Sequence, residues 1–181
     1  MEVFFSVENA VLTDYLKFIS KSVPGGPNNT LELSGTTWFS SLVIACCRTS
    51  GKPVAKPVGA NVVELKLPLS DATQSLADKW LYISKADNKR LNAALKAIFD
   101  MDLYSYYLKA KELGIQKKDA VNAFISSREL ISHDAFEALH KKIYRREAAA
   151  KEVLSKKLVR KIYYIKDSID YSLLNDLVYG K

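Results

Sequence analysis

The residues able to do chemistry by type are few. Two histidines, His133 and His140, and two adjacent cysteines, Cys46 and Cys47, are the only imidazole and thiol groups among 181 residues. A structural zinc site needs four nitrogen or sulfur ligands, commonly with Cys-x-x-Cys spacing. This chain has no such pair, so no metal ligand is assigned. Neighbouring cysteines on an extended chain point to opposite faces, and a bridge between them would be strained. Cys46 and Cys47 close the apolar run TTWFSSLVIACC, which reads as a strand. Burial there would raise their thiol pKa values and silence a Cys–His mechanism, so both are expected buried, reduced and unligated. PGGP at 24–27 is a turn rather than a phosphate loop, because its prolines have no backbone N–H to offer. No catalytic residue, cofactor or metal emerges, and the chain is not expected to be an enzyme.

One stretch does stand out chemically. HKKIYRREAAAKEVLSKKLVRKIYYIK, at 140–166, sets ten Lys or Arg against two Glu, a net +8 in a chain whose total is only +7. The remainder is therefore close to neutral, and the pI near 9.3 is the work of one segment. Phe136 and Leu139 just before it and Ile143, Ala150, Leu154, Leu158, Ile162 and Ile165 within it sit mostly three or four apart, at helical spacing. With Leu154, Leu158 and Ile162 turned to a core, Lys156, Lys157 and Arg160 fall on the other side with Lys161 at the edge of the stripe, and Lys141, Lys142, Arg145 and Arg146 precede them. Like charges three and four apart each cost a few tenths of a kcal/mol. A helix that needed only solubility would interleave acids. Counterion release on a phosphate backbone is the simplest use for such a face.

The elements that must carry this face divide in two. EVFFSV is a short strand, Asn9 a helix cap, and Val11, Leu12, Tyr15, Leu16 and Ile19 mark a helix that VPGGPNN halts. TLELS, the run ending at Cys47, and NVVELKL read as three further strands, the last stopping at Pro68. Beyond Ser70 there is no Pro, and Gly occurs only at 114 and 180. Ser84 to Asp87 resembles a capping box, Asp102 can cap a second helix, Gly114 ends it, QKKDAVNAFISS is a third, and Ser132 caps the long basic one. SIDYSLLNDLVYGK makes a final short helix or docked tail. The expected fold is α+β: a small N-terminal antiparallel sheet with one helix at 1–69, followed by an all-helical bundle at 70–181.

Just upstream of the basic stretch lies YYLKAKELGIQKKDAVNAFISS, at 106–127. Ala110, Leu113, Gly114 and Ile115 supply the small residue, the apolar pair and the glycine turn between two helices. In these places the segment resembles the helix-turn-helix DNA-binding class, at motif level and over about twenty residues. It departs from the pattern at Lys109, where an apolar residue is usual, and at Val121, one position late behind Ala120. The resemblance implies a reading helix at 116–127 that presents Gln116, Lys117, Lys118 and Asn122: amide side chains for adenine, lysines for guanine or phosphate.

The partner expected is therefore nucleic acid, DNA rather than RNA. The rival is a structural or adaptor assembly protein, for example virion-associated, whose basic helix meets an acidic partner or a packaged genome. In either case the N-terminal unit can serve as a homo-oligomer or protein contact. A membrane is not expected, because no apolar run reaches the roughly 18 residues of a span. The start, MEVFFSVENAVL, has no basic leader, and with reduced cysteines this reads as cytoplasmic.

Overall fold

Alternation settles the first strand. In β1 (Glu2–Ser6) Val3 and Phe5 are fully buried while Glu2 is exposed. The structure is a computed structural model that describes residues 1–22, 30–33, 38–68, 71–76 and 78–165, with backbone only at 21, 22, 71, 72 and 157–165. The segments VPGGPNN and SIDYSLLNDLVYGK lie outside the described residues. After β1, α1 (Ala10–Ile19) starts at Asn9, whose Oδ1 accepts from Leu12 N at 3.0 Å. The next elements in chain order are β2 (Lys21–Ser22), β3 (Thr30–Glu32), α2 (Trp38–Cys46), β4 (Cys47–Ser50), β5 (Val62–Lys66), α3 (Asp71–Gln74), β6 (Trp80–Ile83), α4 (Lys85–Glu112), α5 (Lys117–Ser127) and α6 (Ala135–Ile165).

The fold is α+β, with several corrections to its parts. The expected strand at Trp38 is the helix α2. It buries Phe39, Val43 and Cys46, spaced four and three, and exposes Trp38 and Ser41, which is a helix burying one face. An apolar run of this length carries no periodicity that separates a buried helix from a buried strand. The N-terminal part therefore holds two helices. Its sheet, in order β1-β5-β3-β2, is mixed, because β3 runs parallel to β5 while β1–β5 and β2–β3 are antiparallel. The part beyond 70 is not all helical: β6 pairs antiparallel with β4, Ser50 opposite Trp80 and Cys47 opposite Ile83.

The seam expected at 69/70 lies inside the first of two compact units, Met1–His140 and Lys141–Lys181. The β4–β6 pairing crosses it, and so do two side chains of α4. Asn88 accepts from Ser6 N at 3.1 Å and donates to Ser6 O at 3.0 Å. Asn92 accepts from Glu8 N at 2.8 Å and donates to Ser6 O at 2.9 Å. These amides satisfy backbone groups at the end of β1 that would otherwise be orphaned.

α4 is continuous for 28 residues. Ser84 caps it as expected, its Oγ accepting from Asp87 N at 3.1 Å. The break expected at Asp102 is absent, since no Gly or Pro interrupts the neighbourhood and the Asp102 carboxylate is used elsewhere. It accepts two bonds from Arg128, at 2.8 and 2.9 Å, and one from the Tyr15 hydroxyl at 3.1 Å. The Arg128 guanidinium also lies over Phe18, Phe124 and Tyr106, 5.0–5.7 Å from their centroids. α1, α4 and α5 are thus joined around one cation. Ser132, expected to cap α6, donates its hydroxyl to Asp14.

These bonds give a pH dependence. The Arg128 bonds hold the Asp102 carboxyl below the usual range, and the Ser84 and Arg48 bonds do the same for Asp87. A depressed folded pKa contributes stability above the unfolded value of about 3.9, and that stability is lost as pH falls through the folded value. Unfolding free energy, measured by urea titration, is expected to decline from about pH 5 downward. Asp102→Asn should lower it at pH 7 and flatten part of that decline, leaving the share due to Asp87.

Candidate functional site

The first unit presents the segment around Gly114. Gly114 takes φ +74°, its N–H bonds Lys111 O at 3.1 Å, and Ile115 N bonds Ala110 O at 3.0 Å. This is the glycine-dependent helix end anticipated from the sequence, and it makes a four-residue connection, 113–116, between α4 and α5. Ala110 is buried beneath the turn, and α5 packs through Ala120, Val121 and Phe124, the last ring set edge-on to Phe99 and Tyr106. Leu113 and Ile115, the apolar pair flanking the glycine, are 67% and 44% exposed. They add nothing to the core.

Gln116 begins α5 with no side-chain capping bond, so its amide is not committed to the helix end. Gln116, Lys118 and Asn122 are exposed and Lys117 is half-buried. Lys118 and Asn122, four apart, share one face, opposite the buried one. At the end of α4, Lys109 and Glu112 pair at 3.1 Å, an exposed contact that contributes little.

The second unit carries the basic helix. Lys141, Arg145, Arg146 and Lys156 are exposed and Lys142 is half-buried. Lys141 and Arg145 form one i,i+4 stripe, and Lys142 and Arg146 the next. Lys156 reaches Glu152 at 2.6 Å, both well exposed. Only the backbone of Lys157, Arg160 and Lys161 is described, as helix, so their side chains lie outside the described set. Leu154 is 59% exposed rather than turned to a core, and Val153 is 54% exposed. The apolar stripe ends its burial at Ile143, since the next positions on that side are Glu147 and Ala150. Two features were not assigned a role from the sequence: Lys151, which is exposed, and Tyr144, 63% exposed. The signal for Tyr144 was its position about 100° around the helix from Ile143.

Cys46 is buried at the end of α2 and Cys47 is half-buried at the start of β4; both are free thiols. Burial pushes both up, Cys47 to about 12, far from the reactive thiolate range. His133 is exposed beside Asp134 at 3.3 Å, and His140 stacks on Phe136 with centroids 5.7 Å apart. Among the described residues there is no group of three or more potential ligands. No described helix is long and apolar enough to cross a membrane. Comparison with protein-family models, curated proteins and solved structures finds no match.

Proposed function

We propose that the protein binds nucleic acid, without enzymatic chemistry, chiefly through phosphate contacts from α6. The observation that carries this reading is the run 141–156, where six cations stand against two carboxylates and Lys141, Arg145, Arg146, Lys151 and Lys156 are all exposed. Such a density of like charge costs helix stability through repulsion, and a polyanion removes that cost while releasing its own counterions. The start of α5 is the candidate second contact. Exposed Gln116 and Asn122 have the donor–acceptor pattern for adenine edges, and Lys117 and Lys118 suit guanine or phosphate.

The test is a fluorescence-anisotropy titration against duplex DNA, single-stranded DNA and RNA at several salt concentrations. With five cations on phosphates, log affinity should fall against log salt with a slope of about −4.5 for duplex and about −3.5 for single strands. Affinity independent of salt, or no binding at low salt, would overturn the reading. Exposed Val153 and Leu154 favour the second reading, in which α6 meets an acidic protein partner and apolar contacts make the association less sensitive to salt.

A further inference from the structure

Six tyrosines have described side chains, and five of them are buried or half-buried. Tyr15 and Tyr107 lie in the core, and Tyr106 sits edge-on to Phe124 at 5.5 Å. Tyr144 is the exception, 63% exposed in the middle of the cationic run. Its helical neighbours make the position more specific. Lys141 stands three before it and Lys151 seven after, so both share its face, and Arg145 is adjacent. Ala148, four after it, lies on the same face, and Ala149 and Ala150 continue a run with no side chain beyond Cβ; all three are exposed. Side chains on a helix lean toward its N-terminus, so the ring lies on the Lys141 side and the low alanine surface comes behind it. A flat group can therefore approach the ring, with cations to either side along the helix.

We propose that Tyr144 is a base-stacking platform and that α6 takes a single-stranded segment of DNA or RNA. The inference rests on the reading of α6 as a phosphate-contacting helix and names its substrate class. In a duplex each base already stacks within the helix and offers only its edge. An unpaired base offers a full π-face, which an exposed aromatic among cations can take regardless of sequence. Lys141, Arg145 and Lys151 would then contact the phosphates flanking the stacked base.

The experiment compares wild type, Tyr144→Ala and Tyr144→Phe by anisotropy at low salt. The probes are a labelled oligo-dT, an RNA of the same length, and a duplex. Tyr144→Ala is expected to weaken single-strand binding about 5- to 150-fold with the salt slope unchanged, and to leave duplex binding unaltered. Tyr144→Phe keeps the ring and should bind within about twofold of wild type. Preference between oligo-dT and RNA then identifies the sugar chemistry. Equal single-strand affinity for wild type and Tyr144→Ala, or an equal loss on duplex, overturns the platform while the phosphate reading stands. Failure of wild type to bind any of the three probes overturns both. Because the residue is exposed, helicity by circular dichroism should be the same in all three proteins.

Discussion

Replacing Asp14 by Ala is expected to lower the unfolding free energy by about 2–4 kcal/mol, the order of one to two bonds to a charged group, because its three donors share a single oxygen. Asp14 lies in α1 at 7% exposure, 117 and 118 residues in sequence from its partners. One of its oxygens accepts from Ile131 N at 3.1 Å, from Ser132 N at 2.9 Å and from the Ser132 hydroxyl. Three donors in the segment leading into α6 thus depend on one carboxylate. A bond to a charged group contributes about 1.5–3 kcal/mol, and three donors crowded on one oxygen contribute less than three separate bonds. For a unit of this size the loss corresponds to a drop of roughly 6–12 °C in Tm. Asp14→Asn, which keeps an acceptor oxygen, should recover part of it. Lys96→Ala, at an exposed site on α4, should stay within about 0.5 kcal/mol of wild type. A similar midpoint for Asp14→Ala and Lys96→Ala would show that the segment before α6 is held by other means.

What could be read from the sequence was local. Asn9, Ser84 and Gly114 end or begin helices through bonds to residues three to five away, and residue type alone announces such bonds. β1 alternates along its length, and β5 does so from Val63 to Lys66, with Val62 buried as well. What could not be read depends on distant partners. The run at Trp38 becomes a helix because packing on one face decides what an unpatterned apolar run cannot. β6 is a strand because β4 lies beside it. Asp102 looks like a cap until Arg128, 26 residues on, claims its carboxylate. The parallel pairing of β3 with β5 is likewise a matter of topology.

The candidate site divides the same way. Charge density predicts that Lys118, Arg145 and Arg146 meet solvent, and all three are exposed. The glycine turn was legible because only its φ matters. The exposure of Leu113 and Ile115 was not, because an apolar residue beside a turn packs inward only where a neighbour offers a surface. Leu154 stands exposed for the same reason: helical spacing gives a stripe, and a stripe does not supply its own partner.

The largest effect on binding is expected from Arg145→Glu with Arg146→Glu, and this double reversal is the most direct test of α6 as a nucleic-acid interface. Both residues are exposed, one turn beyond Lys141 and Lys142. Reversal removes two phosphate contacts and sets two carboxylates against the backbone. The slope on duplex DNA should shrink by about 1.8, and affinity near 0.1 M salt should drop on the order of 100-fold. Fold stability should move by no more than about 0.5 kcal/mol, because exposed charges contribute little. The measurement is the salt dependence of binding to duplex and single-stranded probes, wild type beside the double variant. Parallel losses of affinity and slope, with unchanged thermal unfolding, are predicted. Identical affinity and slope in the two proteins would contradict the assignment and leave α6 as a surface for an acidic protein partner.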